Sequence, residues 1–453
     1  MPQIDLSIKL ILTVAILSCC TLIVSAQTKD PYEMTVNGVK VIVQPSGNEI
    51  LEIQTIIKGG VQNYSPAKAG IESLAISALT ECGTKKDDKN SFKNKLDKVS
   101  AQVYGSNGRD YATFTMNCIK SDFDAVWPLY VDALTIPLFD QKEFDRTKQD
   151  AINSLKAQGS DPDYSIGKFA RQTAFAGKNY AKDPEGSEET VSKLTAEETK
   201  KYYESILTKS RLLIVVVGEL ERSEIEQRVK GLLSLIPDGN TFTLKKESFT
   251  PAKSSFKSEK KDLATNYIQG VTGAPLPGTP DFNAFVLASR IFYDRHYLDV
   301  RSKNGLSYAP YTYLDGGLSP SYNIDVSTTN PNKYIDVTKT LIAKTKKDGF
   351  TAEEVKDMKT TYLTTFFLKQ ETNSAQAASL AANEILHNNW HRSVTINTDM
   401  KKLSAKDVSN AFNKYVTNIS WVYQGDPSKA NPALFIEGSQ QLPKSKLSGD
   451  KKN

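Results

Sequence analysis

The chain has 453 residues, 24% of them charged and 9% aromatic, with a formal net charge of +5. That length allows two or three domains with their own cores, and the composition is that of an ordinary globular protein. Part of the positive charge lies in the Lys-rich end after Ser428, and no Arg-rich stripe interleaved with aromatics occurs, which argues against a nucleic-acid partner.

In chain order, Lys9 precedes the apolar run "LILTVAILSCCTLIVSA", which closes on the small-residue pattern Val24-Ser25-Ala26. It reads as a secretory signal peptide, residues 1–26, and the mature chain is expected in the periplasm. Lipidation at Cys19 ranks below this, because Leu17 stands where a smaller residue is usual. The run is also short for a stable transmembrane span. Cleavage would leave Cys82 and Cys118, which spacing alone neither pairs nor separates.

"VKVIVQPS" and "ILEIQTIIKGG" then read as strands, with helices over Ala69–Leu79 and Ser91–Ser100. "KKDDKNSFKNK" reads as a solvated, charged connection. "AQVYGSNGRDYATFTMNCI" reads as a hairpin centred on Asn107-Gly108. Long helices follow over Asp122–Leu134 and Gln141–Gln158, and "RLLIVVVGEL" is a strand.

The chain also repeats itself. "FDQKEFDRTKQ" at Phe139 returns as "FTAEEVKDMKT" at Phe350, and "LTAEETKKYY" at Leu194 as "LSAKDVSNAF" at Leu403. The β-rich runs ending at Gly218-Glu219 and Gly425-Asp426 also correspond. The offsets are 211, 209 and 207 residues, a slow drift that points to two homologous halves. Thr195 and Ser404 each precede an acid by three residues, the signature of a helix N-terminus. Strands in groups favour α+β: two α/β-sandwich halves, each with a mainly antiparallel sheet covered by helices. The expected layout is a signal peptide (1–26), a first domain (27–237), a polar linker (238–262), a second domain (263–430) and a Lys-rich tail (431–453).

The Gly59-Gly60 turn, the helix "AGIESLAISALTECGT", "DPD" after a long helix and the strand "VVVGEL" together resemble the M16 family of insulinase-like zinc peptidases. The resemblance runs from about Val36 to Asp426. It implies a His-x-x-Glu-His helix in the first half, where two histidines and a later glutamate hold zinc and leave one position for water. Here the motif positions fall on Ser73, Ile76 and Ser77, or, one register on, Leu74, Ser77 and Ala78. The later glutamate falls on Ala151, beside Asp150. The first of the three histidines is His296, so the first half has no histidine to offer a metal and no cofactor is expected in this chain.

In "LDVRSKNGLSYAP", Arg301 and Tyr308 match an Arg and Tyr, seven residues apart, that in the family reach the zinc site and hold the substrate carbonyl and oxyanion. The resemblance therefore implies a non-catalytic, substrate-binding subunit. It would pair with a subunit bearing His-x-x-Glu-His and zinc, and a peptide substrate would lie as an added strand on a sheet edge. Ile50–Ile57 or its second-half equivalent is the expected edge. Two other readings stand beside it: a binding or scaffold protein without a catalytic role, and a relocated metal site at Glu384, His387 and His391.

Overall fold

The computed structural model describes residues 30–437; the signal-peptide segment, Cys19 and the chain beyond 437 lie outside the described residues. The first half contains β1 (Tyr32–Val36), β2 (Val39–Gln44), β3 (Ile50–Lys58), α1 (Ile71–Glu81), α2 (Lys89–Asp97), β4 (Gln102–Asn107) and β5 (Tyr111–Ile119). It continues with α3 (Phe123–Thr135), α4 (Gln141–Gly159), α5 (Pro162–Ala174), α6 (Glu188–Ser192), α7 (Ala196–Ile206), β6 (Leu212–Val217) and α8 (Arg222–Ser234). The second half contains β7 (Ser255–Lys260), β8 (Asn266–Gly273), α9 (Asp281–Tyr297), β9 (Tyr311–Asp315), β10 (Ser321–Thr328), α10 (Pro331–Asp348) and α11 (Ala352–Leu368). Then come α12 (Asn373–His387), α13 (Arg392–Lys401), α14 (Ala405–Tyr415), β11 (Ser420–Gly425) and α15 (Pro432–Ile436).

The two halves have the same sheet. The first is ordered β1-β2-β6-β3-β5-β4 and the second β7-β11-β8-β10-β9. Apart from the extra β1, the orders superimpose strand for strand, and among the described residues the one parallel pair of each sheet is the equivalent one, β2 with β6 and β7 with β11. The repeated words sit at equivalent places. Phe139 and Phe350 immediately precede the N-caps of α4 and α11, where Asp140 accepts from Glu143 N and Thr351 from Glu354 N. Thr195 and Ser404 cap α7 and α14. Gly218 and Gly425 leave the equivalent strands at φ +145° and +150°, a backbone region that disfavours side chains.

Four readings of the sequence change. The polar segment 238–262 ends in β7, held parallel to β11, and Pro432–Ile436 at the start of the tail segment forms α15, whose Phe435 packs 4.3 Å from the Phe256 ring. The charged stretch at 85–95 is half helix: α2 binds back through Lys89 and Lys93 to Glu81 and through Lys95 to the buried Asp87. Ile50–Lys58 is an interior strand, paired with β5 on one side and β6 on the other, so it offers no edge. Cys82 and Cys118 are free and buried, and burial pushes their thiols up to about 12 and about 11.

Each sheet is covered on one face by its own helices and on the other by a helix from the opposite half. Helix α5 lies on β8 and β11, and α12 lies on β3 and β6. Beneath α12, Ile42, Ile56, Leu213, Val215 and Val217 meet Ala377, Leu380, Ala381, Ile385 and Trp390 in a separate apolar cluster. Burying side chains as large as Leu380, Ile385 and Trp390 contributes on the order of 2 kcal/mol each.

The hairpin tips of the two sheets are also clasped. Tyr180 OH donates to Asp110 Oδ1 (2.6 Å), and the Leu318 amide donates to Tyr180 Oη (2.7 Å) and Asp110 Oδ2 (3.2 Å). Gly317, at φ +100°, brings its backbone so close that a Cβ there would overlap the Tyr180 hydroxyl and the Asp110 carboxylate. Burial pushes the Asp110 carboxyl up to about 6, against the lowering pull of Tyr180, the Leu318 amide and Arg109.

Candidate functional site

Helix α1 starts at Gly70, whose φ of +94° turns the chain into the helix, and packs on α4, α7 and β4. On it Leu74 and Ala78 point into the core, whereas Ser73 and Ser77, four apart and so on one face, remain partly open. Ser73 Oγ donates to Glu185 Oε2 at 3.3 Å. Ile76 is buried against Gly105 of β4, where any Cβ would overlap its Cγ2 methyl. Ala151 sits partly buried on α4.

These four side chains do not fit a zinc ion: two hydroxyls, a branched alkyl and a methyl replace the imidazole and carboxylate donors that zinc requires. Among the described residues no group of three or more His, Cys, Asp or Glu is placed to hold a metal.

One acid lies next to this face and escapes sequence reading. Glu72, 1% exposed, accepts from Tyr202 OH on α7 and from Asn63 Nδ2 (3.0 Å), while Arg211 Nη1 donates to Asn63 Oδ1 at 2.7 Å. Burial pushes its carboxyl above the usual range. Its bonds tie α1 to α7 and to the turn after Gly59-Gly60, so its position is that of a tether. A lone acid at a helix start carries no pattern that separates it from the common exposed first-turn acid.

The relocated metal site is overturned. Glu384 Oε1 accepts from Lys40 Nζ (2.7 Å) and Oε2 from the Trp390 amide (3.2 Å). His387 stands edge-on to Phe282 at 4.8 Å, and burial with nearby Arg392 and Lys246 pushes it down to about 3. His391 stacks on Trp390 at 3.8 Å. Asn388, in the left-handed conformation at φ +52°, ends α12 between the two histidines and sends them different ways.

Arg301 and Tyr308 do come together. Helix α9 runs on into a π-helical turn, Leu298–Lys303, which carries Arg301; such turns place side chains at angles an α-helix does not allow. The guanidinium lies over the Tyr308 ring at 4.2 Å and the Tyr297 ring at 5.1 Å, and Nη1 donates to Tyr297 OH. Tyr308 is 81% exposed, just before β9. That strand ends the second sheet, and Tyr293 stands edge-on to its Tyr311 at 5.3 Å. Tyr297, missed from sequence, was findable as the aromatic four residues before Arg301 on one helical face. Among the described residues no hydrogen bond or ion pair joins this group to Ser73, Ser77 or Ala151, which lie in the other half.

Comparison with known proteins bears on the fold and the family. Residues 52–186 match the family model of the insulinase peptidases, M16, and residues 193–362 match that of the peptidase M16 inactive domain. The non-peptidase homolog YmxG of Helicobacter pylori is 22% identical over 401 residues, 85% of this chain and 91% of its own length. The uncharacterized zinc protease YmxG of Bacillus subtilis is 21% identical over 361 residues, 77% of this chain and 87% of its own. The fold is shared with the peptidase M16 inactive domain from Pseudomonas fluorescens (TM-score 0.80, 17% identity, 90% of this chain and 100% of that one). It is shared too with the periplasmic protease PqqL from Escherichia coli (TM-score 0.75, 12% identity, 88% and 47%). With the two-half fold, the repeated sheet and the emptied motif helix, these matches make the chain a member of the M16 peptidase family, of the non-catalytic type.

Proposed function

We propose that this chain is the substrate-binding subunit of a two-chain M16 zinc peptidase, with the metal and its His-x-x-Glu-His helix on the partner. The observation that carries the reading is the Arg301–Tyr308 pair: a guanidinium and a phenol held against each other at an exposed sheet end, in a chain whose first half contains no histidine. Arg301 would hold the substrate carbonyl, and Tyr308 would donate to the oxyanion as it forms in the partner's site. Both groups are hydrogen-bond donors. The peptide would add along an outer strand, β4 or β9, since β3 is interior. In this reading the working units are the two halves, the second running from β7 at Ser255 to α15 at Ile436. The apolar N-terminal segment supports export, and among the described residues no helix is long and apolar enough to cross a membrane.

The test is cleavage of a quenched fluorescent peptide library by this chain alone, by an M16 subunit bearing the zinc motif, and by the two mixed. The reading expects activity in the mixture only. Arg301→Ala and Tyr308→Phe should each reduce it by about a hundredfold or more, the usual loss of one oxyanion donor. Association of the two chains with no gain in cleavage would leave a scaffold, and chelator-sensitive cleavage by this chain alone would overturn both readings.

A further inference from the structure

Between the halves lies a cavity of about 470 Å³ that neither the degenerate zinc helix nor the Arg301–Tyr308 pair touches. That volume lies within the range of small-molecule sites, about 300–1,000 Å³. Its floor is the inner face of the first sheet where α12 stops covering it: Gln54, Thr113 and Thr115 present amide and hydroxyl groups there, and Ala381 and Leu386 of α12 form an apolar wall. The clasp of Asp110, Tyr180 and the Gly316-Gly317 turn closes one end.

Arg109, in the β4–β5 turn, is the cation in this lining. Its Nε is buried and has no hydrogen-bond partner among the described residues. The acids nearby are engaged elsewhere. Asp110 accepts from Tyr180 and the Leu318 amide, one bond on each oxygen, and Asp315 lies 3.8 Å from Arg171. A guanidinium that lines a cavity and makes no hydrogen bond or ion pair among the described residues is the complement of a carboxylate, which takes two parallel bonds from the fork. We propose that this cavity is a binding site for a small carboxylate-bearing ligand, with Arg109 holding the carboxylate and Gln54, Thr113 and Thr115 hydrogen-bonding the polar atoms behind it. A free organic acid and the C-terminus of a short peptide present the same group.

Titration calorimetry on this chain alone, with trialanine, N-acetylalanine and trialanine amide as probes, tests this. Saturable binding of a free carboxylate, absent with the amide, is expected. Binding of both acids points to small organic acids, and binding of trialanine alone to peptide C-termini. Arg109→Ala should weaken binding at least tenfold and Arg109→Lys less. Among the described residues the Arg109 side chain makes no hydrogen bond or ion pair, and circular dichroism verifies that both variants are folded. No saturable binding at millimolar probe, equal binding of the amide, or binding unchanged in Arg109→Ala overturns the proposal. No peptidase subunit enters the measurement, so its failure leaves the proposed function standing, and the converse holds.

Discussion

Replacing Asp110 with Asn should stabilise the protein at neutral pH, although it removes a charge from a hydrogen-bonded clasp. In the folded chain burial holds this carboxyl at about 6, against 3.8 when exposed. A raised folded-state value means that ionisation opposes folding: the penalty is complete above about pH 6 and vanishes below about pH 4. At about 1.4 kcal/mol per unit, Asp110 destabilises by about 3 kcal/mol at pH 7.5 and by about 1.6 kcal/mol at pH 5. Asn fits the same bonds, its oxygen accepting from the Leu318 amide and its NH₂ donating to the Tyr180 oxygen. Exchange of charge-assisted bonds for neutral ones takes back about 1 kcal/mol. The net expectation is a gain of about 2 kcal/mol at pH 7.5, falling to about half a kcal/mol at pH 5. Urea midpoints of both proteins at the two pH values measure it, and the difference between them cancels every other titrating group. An Asn variant with the wild-type pH slope, or one weaker at pH 7.5, would refute the reasoning.

Gly105→Ala should destabilise by about 1–3 kcal/mol because its methyl meets Ile76, and adding Ile76→Ala should restore part of that loss, a coupling that a double-mutant cycle reads directly. Ser73→His with Ser77→His places two imidazoles on the open face of α1, and the double variant should bind one zinc ion in a titration where the wild type binds none. Leu74→His with Ala78→His, aimed at the core, should instead unfold the protein in circular dichroism. Glu384→Ala, which strips an acceptor from Lys40 and from the buried Trp390 amide, should destabilise by about 1–3 kcal/mol, read from urea unfolding, with Glu384→Gln intermediate.

What the sequence discloses is what local chemistry writes. The caps at Thr195 and Ser404 and the strand-ending glycines at Gly218 and Gly425 each obey a short-range rule, so the repeat and most element boundaries could be read from them. The emptied motif helix was equally legible, because a missing histidine is visible without a fold. The partners of an apolar face are not written in this way. The periodicity of α12 shows that one side is buried but not that the sheet beneath it belongs to the other half. The interior place of β3 was not legible either: Glu52, Gln54 and Thr55 give the run a half-polar pattern, yet Leu51 to Ile57 is buried throughout between β5 and β6. Asp110 and Arg109 show nothing in sequence beyond turn residues. Their chemistry exists only where Gly317 and Tyr180 arrive from elsewhere in the chain.

The exchange of helices also sets an order in time. The first sheet is complete once β6 has been made, yet the side chains of Ile42, Ile56, Leu213, Val215 and Val217 have no cover until α12 and Trp390 arrive. Some 170 residues separate those events, roughly ten to thirty seconds of synthesis at about 5–20 residues per second. Throughout that interval the nascent chain carries a bare apolar face the width of a helix. It must be shielded by a chaperone or held back from folding, and a chain truncated before Asn373 would be a client for degradation rather than half a protein.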